Sequence, residues 1–137
     1  MNEPTRPTPV PDQDSAPFWE GCREHRLRIQ KCASCGTLRF PARRHCAACG
    51  SDESTWTDAS GKGNVYSWIV VNHPVPREVF AAEVPYVVAL VNLEEGVRMP
   101  TNIVGIPPDQ VKADMPVEVL FAEVDGMVLP KFRPRAE

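Results

Sequence analysis

The sequence predicts a mainly β protein in two parts, a small metal-held unit followed by a five-stranded barrel, and three observations predict it. Two Cys-x-x-Cys pairs stand ten residues apart in the first half of the chain. From Gly63 onward, β-branched and aromatic residues run in stretches of five to ten, separated by Pro, Gly and acidic residues. The whole chain has 137 residues and 42% apolar content, enough for one modest core.

The elements follow in order. Residues 1–13 are rich in proline and poor in apolar side chains, too little to offset the entropy of ordering, and are expected to form a flexible tail. A helix is expected over residues 14–26, with Ser15 as capping hydroxyl, Pro17 in its first turn, and Phe18, Trp19 and Cys22 at helical spacing. Gly21 inside it costs about 1 kcal/mol relative to alanine.

Residues 27–60 contain the cysteines. Extended pieces are expected at Leu27–Gln30 and Leu38–Phe40, and no long periodic run supplies a core, so a metal must. The motifs are Cys32-Ala-Ser-Cys35-Gly36 and Cys46-Ala-Ala-Cys49-Gly50. Two intervening residues let one tight turn present both sulfurs to a single ion, and the following glycine accepts the positive φ of such a turn. Two such knuckles complete a tetrahedron, which predicts one structural zinc held by Cys32, Cys35, Cys46 and Cys49. With four thiolates no coordination position is left for water or substrate.

Residues 61–134 hold five strand candidates, at Gly63–Asn72, Tyr86–Leu93, Val97–Ile106, Val117–Val124 and Met127–Phe132. Glu94-Glu95-Gly96 and Asp125-Gly126 read as hairpin turns, so their flanking strands should be antiparallel neighbours. The longer connection 107–116 has space for one helical turn. This pattern suits a five-stranded Greek-key barrel of the OB type, with a sandwich fragment as the competing architecture.

Charge changes sign along the chain: residues 22–62 carry a net +4 and residues 63–130 a net −6. Anionic ligands should therefore prefer the first half, and an acidic barrel argues against nucleic acid, the alternative reading for a ribbon joined to such a barrel. No signal-peptide pattern or membrane-spanning run is legible, which predicts a cytoplasmic protein without membrane contact. Arg39, Arg43 and Arg44 flank the cysteine hairpin and suit phosphate groups, such as those of coenzyme A. Phe18 and Trp19 suit a partner or an acyl group, as does Phe80 on the long loop near His73. His45 is expected to be no ligand, and Cys22 to be an inert buried thiol. No nucleophile-and-base arrangement is legible among His25, His45 and His73, so no catalytic residue is assigned.

Over residues 15–134 these features together resemble the DUF35 family. The resemblance rests on Phe18-Trp19, Leu27, Lys31-Cys32-Ala-Ser-Cys35-Gly36, Pro41-Ala-Arg43 and Cys46-Ala-Ala-Cys49-Gly50. It continues through Gly61-Lys62-Gly63-Asn64-Val65-Tyr66-Ser67, Pro85-Tyr86 to Val91, Glu94-Glu95-Gly96-Val97-Arg98, Met115-Pro116-Val117 and Leu129-Pro130-Lys131-Phe132. A glycine common in the family before Met-Pro-Val is Asp114 here, and aspartate also tolerates a left-handed turn. The resemblance implies an N-terminal helix and rubredoxin-like zinc ribbon before the OB fold. It also implies a small accessory subunit that pairs with a thiolase-fold enzyme in acyl-CoA metabolism and helps place the acyl-CoA, with the chemistry left to the partner's own nucleophile.

Overall fold

The structure, a computed structural model, describes residues 7–136. Part of the expected tail, residues 1–6, lies outside the described residues, and residues 7–13 form neither helix nor strand. Helix α1 spans Ala16–Arg23. Its start differs from expectation, since the Ser15 hydroxyl caps no helix N–H and instead accepts from the Asp12 N–H at 3.1 Å. Asp12 Oδ1 accepts from the Ser15 N–H at 2.8 Å in return, so the reciprocal pairing of a capping box begins three residues earlier. That N–H also holds the Asp12 carboxyl below its ordinary range.

Gly21 is buried for a reason the helix alone does not reveal. A Cβ there would meet the Arg26 carbonyl oxygen at 2.8 Å and Arg28 Cγ at 2.8 Å, because the chain leaving the helix folds back against it. Gly21→Ala, stabilising in an isolated helix, should here destabilise by about 1–3 kcal/mol through overpacking. Urea unfolding of the two proteins checks this, and a gain in stability would refute the close approach.

The ribbon sheet has three strands, β1 (Arg28–Cys32), β2 (Leu38–Arg39) and β3 (Ser54–Asp58), in the order β2-β1-β3 with antiparallel pairing. β3 was not expected. Its sequence Ser-Thr-Trp-Thr-Asp is polar, and its burial comes from pairing five residues of β1 and from Trp56 lying on the core. Arg26 closes this unit with an ion pair to Asp58 at 2.6 Å.

Five further strands form a closed barrel: β4 (Lys62–Val71), β5 (Tyr86–Leu93), β6 (Arg98–Ile103), β7 (Pro116–Val124) and β8 (Met127–Pro134). Their order is β4-β5-β6-β8-β7, antiparallel except where β6 meets β8, so the barrel is of the OB type rather than a sandwich fragment. β5 matches its expected bounds and shows strict alternation, with Val87, Ala89, Val91 and Leu93 buried.

Both expected hairpins are present, β5–β6 and β7–β8, with Gly96 at φ 92° in the first and Asp125 at 49° and Gly126 at 85° in the second. Asp114 adopts φ 62°, the left-handed conformation that its residue type permits. The connection before β7 holds the single turn of helix, 3₁₀ at Pro108–Gln110. An extra turn, α2 (Arg77–Phe80), interrupts the long loop after β4, which the sequence reading left without an element.

Ribbon and barrel are tied at their junction. The Ser60 N–H donates to Glu95 Oε2 and its hydroxyl to Glu94 Oε2, both at 2.8 Å, so the acids of the first barrel hairpin anchor the linker. Phe18, Cys22, Leu27 and Ile29 join the barrel residues in one continuous core. Among the described residues no helix is long and apolar enough to cross a membrane.

Candidate metal centre and the adjoining groove

The two knuckles are near copies of one another. In the first, the Cys32 N–H donates to the Thr37 carbonyl at 2.9 Å and the Gly36 N–H to the Cys32 carbonyl at 3.0 Å. In the second, the Cys46 N–H donates to the Ser51 carbonyl at 2.9 Å and the Gly50 N–H to the Cys46 carbonyl at 2.8 Å. Gly36 and Gly50 take φ of 78° and 79°, as the sequence pattern requires. Ser34 and Ser51 join the knuckles by a hydroxyl hydrogen bond of 2.9 Å.

All four sulfurs lie within 4.8 Å of one another, with Cys32 to Cys49 at 3.6 Å and Cys35 to Cys46 at 3.7 Å. Zinc–sulfur bonds of about 2.3 Å in a tetrahedron place the sulfurs about 3.8 Å apart, so the donor set fits zinc in both chemistry and spacing. Backbone N–H groups point at the sulfurs, Cys35 to Cys32 Sγ at 3.5 Å and Ala48 to Cys46 Sγ at 3.4 Å. The Cys35 N–H is the leading cause that pulls the Cys32 thiol down to about 6, and the Thr37 hydroxyl lowers Cys35. Both effects favour the thiolate that binds metal. His45 is exposed and is not among the clustered ligands. Cys22 is fully buried, and burial pushes its thiol up to about 12, the inert thiol expected of it.

The other candidate residues fall into three places. Phe18, Trp19 and Arg39 line a groove of about 300 Å³ between α1, the ribbon and the barrel, together with Phe40, Trp56 and Met99. Arg43 and Arg44 line a polar hollow opposite Asp14 and Asp52. Phe80 lines a third hollow with Tyr86 and Ile106. Asn102 and Lys131 border both the first groove and the third hollow.

Arg39 carries the clearest electrostatic tension. Its Nη2 donates to the Arg43 carbonyl at 3.0 Å, while Nε and Nη1 are buried and have no acceptor among the described residues. Such unmade bonds cost about 1–3 kcal/mol each. The sequence reading missed Gln30, Trp56, Asn102 and Lys131. Gln30 had a usable signal, a polar residue at a buried strand position, where it accepts from the Arg43 N–H at 2.8 Å and donates to Ser54.

Residues 19–55 match the family described as ChsH2, rubredoxin-like zinc ribbon domain, and residues 56–122 match ChsH2, C-terminal OB-fold domain. Over 130 residues the chain is 48% identical to a probable enoyl-CoA hydratase alpha subunit of Thermomonospora curvata, covering 94% of this chain and 40% of that protein. The chain thus spans about two fifths of the length of this curated relative. It is 38% identical over 125 residues to a DUF35 domain-containing scaffold protein of Methanocaldococcus jannaschii, covering 85% of this chain and 87% of the relative. A solved chain of an Ltp2-ChsH2(DUF35) aldolase superposes with a TM-score of 0.84 at 45% identity, covering 93% of this chain and 98% of that one.

Proposed function

The chain belongs to the DUF35 family, joining a rubredoxin-like zinc ribbon to an OB-fold barrel, and from that premise we propose that it is the non-catalytic accessory subunit of a cytoplasmic thiolase-like acyl-CoA enzyme. The partner makes or cleaves a carbon–carbon bond beside the coenzyme A thioester. This chain assembles the complex and helps position the acyl-CoA. The observation that carries the reading is the 45% identity, over 93% of the chain, to a component of an aldolase assembly named for two proteins, Ltp2 and ChsH2.

The chain's own residues support it. A four-thiolate zinc site does no chemistry, since every coordination position is filled, and its contribution is to hold α1 and the ribbon rigid for a partner to meet. The positive ribbon beside the negative barrel draws the phosphates of coenzyme A towards Arg39, Arg43 and Arg44, and away from the acidic strands. Phe18, Trp19 and Phe80 supply apolar contact for the acyl group or the partner. The same acidic barrel makes nucleic acid a poor ligand.

Co-expression with a thiolase-fold enzyme encoded beside this chain tests the proposal. The two should co-elute on size exclusion, and acyl-CoA turnover should need both. A partner that is fully active alone and forms no complex would end this reading.

A further inference from the structure

Residues 63–76 contain no Asp, Glu, Lys or Arg, in a chain that is 24% charged. Three of the four large apolar side chains that stand exposed among the described residues, Tyr66, Ile69 and Val75, fall in this stretch, with Ile69 at 62% exposure. Most of the stretch is strand β4, whose two edges differ. One edge pairs with β5 along nearly the whole strand, from Gly63 to Val71. The other pairs with β7 only at Lys62, Gly63 and Asn64, after which the Val65 N–H donates to the Met115 carbonyl at 3.0 Å. The register shifts between Val65 and Ser67, the mark of a bulge that bends the strand, and beyond it no strand among the described residues pairs with this edge. Residues 67–71 thus present a free row of backbone donors and acceptors.

Exposed strand edges pair with other chains unless something blunts them, and the other free edges of this protein are blunted. β2 is two residues long, β3 ends at Asp58, β6 carries Arg98 and Pro100, the outer part of β7 carries Glu123, and β8 carries Pro130 and Lys131. The end of β4 has neither a charge nor a proline. It also fits itself. Laid antiparallel with Ile69 opposite Ile69 of a second copy, the strand sets Trp68 against Val70 twice on one face and Ser67 against Val71 twice on the other. Such aromatic and β-branched pairs stabilise a sheet, and no like charges meet across them. We infer that the free edge of β4 is a self-association surface, on which a second copy of this chain lays its own β4 antiparallel and continues the sheet across a twofold axis. The contact uses neither acyl-CoA nor an enzyme partner, so it goes beyond the subunit reading.

Sedimentation equilibrium of the full zinc-loaded chain, alone, tests it. The chain should show a monomer–dimer equilibrium that strengthens with added salt, because each copy carries a net charge of −3 and screening weakens their repulsion. Ile69→Lys sets two like charges opposite one another at the centre of the contact and should weaken association by about tenfold or more. Ile69→Thr, neutral and also β-branched, should keep most of it. Ile69 is exposed, so both variants should retain native circular dichroism and full zinc content. Amide exchange across residues 67–71 should slow as the concentration of the unaltered chain rises and stay fast in Ile69→Lys, a change that a contact between side chains alone would not produce. A chain that stays monomeric up to about 1 mM would overturn the inference. So would a dimer that Ile69→Lys leaves intact in folded protein, or one whose exchange protection falls on other strands. If the chain alone is monomeric and Ile69→Lys abolishes co-elution with the enzyme partner, the edge belongs to that enzyme and the second copy is excluded. Absence of a dimer leaves the subunit reading standing, since co-elution is measured separately.

Discussion

Cys46→Ser is expected to abolish stoichiometric zinc binding and to melt the ribbon while the barrel survives. The reason lies in how little else holds the first unit together. Its three strands pair over two and five residues, and its buried positions are few, chiefly Leu27, Ile29, Gln30 and the sulfurs of Cys32 and Cys46. Zinc bound to such thiolates supplies about 10–16 kcal/mol of folding free energy, more than the whole stability of many domains. Serine cannot replace the lost thiolate, and the remaining three sulfurs leave an open position that water enters. The barrel has its own closed hydrogen-bond ladder and its own buried set, from Val65 to Phe132. Amide exchange should therefore quicken across β1 and β3 and stay slow across β5 and β7, with metal analysis falling from one zinc per chain to well below one. Retention of a full zinc equivalent with native exchange in β1 would contradict the four-thiolate site.

The cysteine knuckles were legible because their chemistry is local. Spacing of two residues and a trailing glycine determine the turn, and Gly36 and Gly50 adopt the φ that this implies. Barrel strands were legible where alternation was strict, as in β5, or where a hairpin signal bounded them, as at Asp125-Gly126. β3 was not, since its polar side chains gain their place only from pairing with β1, a contact 22 to 30 residues away in sequence. Ser15 looked like the helix cap because residue type alone cannot tell which member of a reciprocal pair with Asp12 starts the turn. The groove was the least legible feature. Phe18, Trp19 and Arg39 could be singled out, but Trp56 comes from the unexpected strand, and Lys131 and Asn102 come from barrel strands that meet the ribbon only after folding.

Phe132→Ala should cost about 3–5 kcal/mol, a large part of the roughly 5–15 kcal/mol that keeps a domain folded. Phe132 is fully buried, and β8 is the strand that closes the barrel. It pairs Phe132 with Val119 of β7 on one side and with Ile103 of β6 on the other, the second contact being a single parallel register step. The Phe132 carbonyl accepts from the Val104 N–H at 2.8 Å, next to where the ring fills the interior. Truncation thus opens a cavity beside the barrel's weakest seam. Urea midpoints should fall by about 1–3 M at ordinary slopes for a domain of this size. Phe121 serves as the control, since it is only partly buried and stacks on His25 at 5.2 Å, and Phe121→Ala should lose distinctly less. Equal losses for the two would show that the seam is not where closure is decided. The neighbours Leu129, Pro130 and Lys131 on the same strand line the groove, so the residue that seals the barrel from within also holds the groove wall in place.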